Sequence, residues 1–161
     1  MIIIGIDPGI ATTGYGIIKK IKKGKVKNNV KCLGYGLIKT TPSFPMPERL
    51  QKINNELSRL IKKFQPNILA VENVYFFKNL KTIIPVSQAK GVILLTAAKN
   101  KIPVFQFAPL EIKATVTGIG RAEKIIVQKN VRRILKLKEP LKLDDAADAL
   151  AVALTYLIKK I

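Results

Sequence analysis

Ten carboxylates stand against 29 lysines and arginines in this chain of 161 residues, and histidine is absent. The acids are Asp7, Glu48, Glu56, Glu72, Glu111, Glu123, Glu139, Asp144, Asp145 and Asp148. Several lie in or beside apolar segments. Asp7 closes the run Ile2-Ile3-Ile4-Gly5-Ile6, Glu72 closes Ile68-Leu69-Ala70-Val71, and Asp145 and Asp148 open an alanine- and leucine-rich stretch. Two acids three residues apart share one face of a helix at about 100° per residue. A carboxylate at the edge of an apolar core is costly unless a cation or donors meet it. Each acid has a simpler role when taken alone. Asp7 would cap the Pro8-Gly9 turn, Asp145 and Asp148 would complement a helix dipole, and Asp144 would serve as the N-cap. Their shared placement argues for more, because ligands of open α/β sheets bind at the carboxyl ends of strands. Carboxylates converging there repel one another unless a cation lies between them.

The missing residue types narrow the chemistry. Without histidine there is no His-activated nucleophile, no His general base and no His-ligated zinc. Cys32 is the only cysteine, which excludes an internal disulfide and a Cys-rich zinc site. Hard oxygen ligands alone point to Mg²⁺, with Mn²⁺ as the alternative ion. Two such ions about 4 Å apart hold the attacking water and the leaving oxygen of a phosphodiester in line. The net charge of +19 favours a polyanionic partner, through release of counterions from phosphates. Lysine enrichment also accompanies heat-adapted ion-pair networks, but those need acids, which are scarce here. A basic surface around an acidic metal pocket suits a nuclease.

The elements that would position these residues follow from pattern. Ile2 to Asp7 reads as a strand covered on both faces. Thr12 to Ile18 and Val30 to Thr40 read as antiparallel strands joined by a lysine-rich turn around Gly24. A helix opening near Pro47 or Glu48 carries Leu50, Ile53, Leu57, Leu60, Ile61 and Phe64 on one stripe. After the strand ending at Glu72, Ile83 to Lys99 reads as a helix apolar on most sides, buried in the domain or in a partner. Ile102 to Phe107 is a fifth strand. One helix runs through Ile112 and Val116 to Gly118, and a second starts at Ala122. The last opens near Asp144, with Leu150, Leu154, Leu157 and Ile161 roughly opposite its acids. The order βββαβαβ with closing helices implies an α/β fold, a mixed five-stranded sheet with helices on both faces. The expectation is one domain over residues 1–161. No apolar run approaches the roughly 20 residues of a membrane span, and a signal-peptide pattern is lacking, so the expected location is cytoplasmic, away from any membrane.

Several stretches together resemble the RuvC family of Holliday junction resolvases, in the ribonuclease H-like superfamily. They are Gly5-Ile6-Asp7-Pro8-Gly9 with Thr13-Gly14-Tyr15-Gly16, Ala70-Val71-Glu72-Asn73-Val74, Gln88-Ala89-Lys90-Gly91, Val116-Thr117-Gly118-Ile119-Gly120 with Ala122-Glu123-Lys124, and Asp145-Ala146-Ala147-Asp148-Ala149-Leu150-Ala151. The resemblance covers nearly the whole chain in order. It implies a ribonuclease H-like fold, a homodimer, and paired symmetric nicks in a four-way DNA junction. It implies that Asp7, Glu72, Asp145 and Asp148 hold the metal ions, two per active site, and that Lys113 and Lys124 assist near the scissile phosphate. Tyr75 falls on the family's base-stacking aromatic position, followed by Phe76 and Phe77. The helix from Ile83 would supply much of the dimer interface, and the branch-migration proteins RuvA and RuvB are implied partners. Further expected DNA contacts are Phe76, Lys78, Lys81, Lys90, Arg121 and Lys129. Gly118 and Gly120 would either offer backbone N–H groups to a phosphate or simply separate two helices. Two other readings are a related nuclease acting on RNA and a non-catalytic dimer that binds junctions.

Overall fold

A computed structural model describes residues 1–21, 30–73 and 80–160, the side chains of 80–82 excepted. The lysine-rich turn around Gly24, together with Tyr75, Phe76, Phe77 and Lys78, lies outside the described residues, as does the side chain of Lys81. The elements are β1 (Ile2–Asp7), β2 (Thr12–Lys20), β3 (Val30–Lys39), α1 (Met46–Phe64), β4 (Ile68–Glu72), α2 (Leu80–Lys99), β5 (Val104–Phe107), α3 (Pro109–Thr117), α4 (Lys124–Leu135) and α5 (Asp144–Lys160). The strands form one five-stranded sheet in the order β3-β2-β1-β4-β5. β1, β2 and β3 run antiparallel, whereas β4 and β5 run parallel to β1. The sheet is therefore mixed, as the element order implied.

Alternation along β1 and β4 divides the core into two layers. Ile4, Ile6, Leu69 and Val71 face α1 and α2, packing with Ile53, Leu57, Ala89 and Ile93. Ile3, Ile68 and Ala70 face the other way, into a layer built from α3, α4 and α5. A period of two residues along each strand carries Asp7 and Glu72 to the α5 side.

α5 departs from the single apolar stripe expected of it. Every residue from Ala146 to Leu157 is buried except Asp148, which is half-buried. The helix lies across the middle of the sheet, under α3 and α4, so it has no solvent face over that length. Its alanines let it seat closely. A Cβ on Gly5 would come 2.1 Å from the Ala149 carbonyl oxygen, and one on Gly14 would come 2.0 Å from that of Asp145. Glycine within a strand marks such close approach of another backbone.

Some boundaries differ from expectation. Asp144 is not the N-cap. The Leu143 carbonyl accepts the first helical bond, from the Ala147 N–H, so Asp144 is already inside the first turn. α4 starts at Lys124 rather than Ala122, because the Ala122 N–H closes a turn onto the Ile119 carbonyl. β5 starts at Val104, since the Ile102 N–H bonds back to Ala97 at the end of α2. Among the described residues no helix is long and apolar enough to cross a membrane.

Candidate active site

β1 and β4 pair in parallel, with Ile6 opposite Val71. The next residue on each strand is an acid, so Asp7 and Glu72 leave the sheet side by side on the α5 face. The close seating of α5 on Gly5 and Gly14 brings the start of that helix to the strand ends, with Asp145 and Asp148 beside Asp7. Asp7, Asp145 and Asp148 each offer a carboxylate oxygen, and these oxygens lie within 4.8 Å of one another. Glu72 joins the group from the side, accepting a hydrogen bond from Asp7 when the latter is protonated. The turn after β1 is held by other means than an Asp7 cap: the Thr13 hydroxyl donates to the Gly9 carbonyl at 2.6 Å.

The electrostatics follow from this crowding. Burial first, then the charges of Glu72, Asp148 and Asp145, push the Asp7 carboxyl up to about 8. Burial and the charge of Asp148 push Glu72 up to about 7, partly offset by its bond from Asp7 and by Lys113 and Lys124. Asp148 is also raised, chiefly by burial, against the pull of Lys124. Holding protons eases both the cost of burial and the repulsion among these acids. The same set of hard oxygens is suited to a divalent cation, which would take over that neutralisation.

A concavity of about 150 Å³ adjoins the cluster, lined by Glu72, Lys113, Lys124 and Asp148 over an apolar floor of Ile112, Val127 and Ala151. Lys124, the first residue of α4, reaches Asp148 at 3.2 Å and Asp144 at 3.5 Å. Burial disfavours its charge, but the two aspartates outweigh that and raise its pKa. Asp144 is exposed and also accepts from Gln128 Nε2 at 2.8 Å, so it faces α4 while Asp145 faces β1.

The remaining expected site residues fall in different places. Arg121, in the α3–α4 loop, and Lys129, on α4, are exposed. Lys90 is half-buried, donates to Asn73 Oδ1 at 2.7 Å, and has its pKa lowered by burial. It is turned inward as a brace for the residue after Glu72, whose own N–H is held by the Phe107 carbonyl at 2.8 Å. Neither the Asn73 brace nor the Asp144 ion pair was anticipated from sequence. The glycines at 5 and 14 were the available signal for the seating of α5.

Comparison with known proteins places this geometry in context. A protein-family model described as crossover junction endodeoxyribonuclease RuvC matches residues 3–156. A crossover junction endodeoxyribonuclease RuvC from Endomicrobium trichonymphae is 46% identical over 156 residues, covering 97% of this chain and 80% of that protein. One from Syntrophomonas wolfei is 47% identical, covering 98% of this chain and 88% of its own. The structure of Thermus thermophilus RuvC in complex with Holliday junction substrate superposes with a TM-score of 0.90 at 34% identity, covering 99% of this chain and 94% of that one.

Proposed function

The chain belongs to the RuvC family of crossover junction endodeoxyribonucleases, with its ribonuclease H-like fold, and from that we propose how its pocket resolves four-way DNA junctions. The observation that carries the reading is the meeting of Asp7, Asp145 and Asp148 within 4.8 Å. With Glu72 these residues would hold two Mg²⁺ ions, Mn²⁺ being the alternative. Such ions, when bound, supply Lewis-acid activation of water and neutralise charge on the leaving oxygen. The protein's own groups do the rest. Asp7 and Glu72, at the ends of two hydrogen-bonded strands, form a rigid edge against which the scissile phosphate is oriented. Lys124 holds Asp148 in place and, with Lys113, lines the adjoining concavity with positive charge suited to a phosphate. Ile112, Val127 and Ala151 exclude water from its floor.

Paired nicks require two such pockets, and a homodimer through α2 meets that need. Ile84 and Leu95 are 67% and 54% exposed, on the same face as Gly91, while Ala89, Ile93 and Ala97 pack inward. Tyr75 and Phe76 are the proposed base-stacking residues, with Lys78, Lys81, Arg121 and Lys129 as phosphate contacts. Residues 1–161 would act as one nuclease domain. RuvA and RuvB are the proposed partners, by family resemblance, and a junction-DNA substrate supports a cytoplasmic site of action. The test is cleavage of a synthetic four-way junction, a duplex and an RNA hairpin with Mg²⁺. Paired symmetric nicks confined to the junction are expected. Preferred cutting of RNA, or no cutting with any divalent ion, would overturn the reading.

A further inference from the structure

A second electropositive feature lies at the far end of α4 from the pocket. Val127, Val131 and Leu135 bury one face of this helix. The opposite face ends in a shallow concavity of about 430 Å³, lined by Lys129, Arg132, Arg133, Lys136 and Leu137. Among the described residues none of its four cations lies within 4 Å of a carboxylate. Arg132 is committed to the fold, donating to the carbonyls of Leu137 at 3.2 Å and Lys138 at 2.6 Å, which closes the helix end. Arg133 gives one N–H to Asn130 Oδ1 at 2.8 Å, which leaves its other donors. Lys136 adopts φ 52°, a left-handed conformation at the helix C-terminus that favours glycine. A gathering of cations with no counter-charge repels itself until an anion covers it.

This concavity is continuous with the pocket through a single rigid element. Lys124 begins α4 beside Asp148, and Lys136 follows its last residue. At 1.5 Å per residue the two are about 18 Å apart along the axis, or roughly five base pairs at 3.4 Å each. We propose that the C-terminal half of α4 is a phosphate seat for a duplex arm of the substrate, about five base pairs from the cut phosphodiester, with Lys129, Arg133 and Lys136 as its contacts. This rests on the junction-nuclease reading above. The seat neutralises backbone charge without reading bases, and it fixes the angle at which the arm leaves the pocket.

The test combines Arg133→Gln with Lys136→Gly. Glycine suits the left-handed position, so the thermal midpoint should not fall. Junction affinity at low salt should drop on the order of tenfold, and the slope of log K against log salt should shrink by about 1.8 for two lost contacts. Uncharged methylphosphonate linkages about five nucleotides from the cut should weaken binding by the unchanged protein more than binding by the double variant, which keeps only Lys129. An unchanged salt slope, or equal response of both proteins to the methylphosphonates, would overturn the seat while leaving the nuclease reading intact. Failure of the unchanged protein to bind or cut the junction would overturn both.

Discussion

Asp7 and Glu72 end neighbouring parallel strands, one step beyond the Ile6–Val71 pair, and both side chains are half-buried there. Burial is the first cause of their raised pKa values, and the charges of neighbouring acids, Glu72 for Asp7 and Asp148 for Glu72, add to it.

That relationship has a pH signature. Asp7 is raised to about 8 and Glu72 to about 7, from ordinary values near 4. The folded chain therefore holds protons that the unfolded chain has released, and metal-free stability should fall as pH rises from about 4 through 8, then level off. Thermal melts across this range check the sign. Mg²⁺ should raise the melting temperature more at pH 8 than at pH 5, because binding displaces those protons.

Replacing Asp7→Asn or Glu72→Gln removes one carboxylate while keeping its shape. Junction cleavage should fall at least about a hundredfold, and junction binding should be retained. The Asp7→Asn protein should also lose most of the pH dependence of its metal-free melting. Cutting at the unchanged rate would remove these acids from the mechanism.

Gly14→Ala places a methyl 2.0 Å from the Asp145 carbonyl. α5 must then lift from β2, at a cost of about 1–3 kcal/mol. Cleavage should fall further than stability, because the lift also separates Asp145 from Asp7. Denaturant unfolding alongside single-turnover cutting separates the two effects.

Leu95→Glu adds charge to an exposed position on α2 without touching the core. Sedimentation should show a monomer with unchanged circular dichroism. A dimer of unchanged affinity would remove this face from the interface. Val92 is a poorer probe, because it packs partly against the sheet layer.

Tyr75→Ala should impair cutting of a junction by about tenfold or more, with little effect on binding, if its ring stacks on bases. Single-turnover rates at saturating protein distinguish this from simple weakening of affinity. Equal rates would show that the ring is not used.

Much of this arrangement is local, and local patterns were legible. The isoleucine run of β1 and the 3.6-residue stripe of α1 depend on near neighbours in the chain, so composition and spacing suffice to read them. The acids at 7 and 72 were also readable, because an ionisable group closing an apolar strand has few inexpensive roles. What the tertiary structure decided depends on distance across the fold. α5 proved buried on nearly all sides between Ala146 and Leu157, Asp148 alone being half-buried, because Gly5 and Gly14 admit it onto the sheet and α3 and α4 cover it. Asp144 and Asp145 are adjacent and chemically identical, and only the position of Lys124 and Gln128 on α4 turns one toward an ion pair and leaves the other for Asp7. Lys90 was expected to contact DNA, and only packing shows that it reaches Asn73 instead of standing free on the surface. Chain periodicity fixes which face a side chain leaves from, but which partner it meets there is set by the separation between elements, and that is a property of the assembled core.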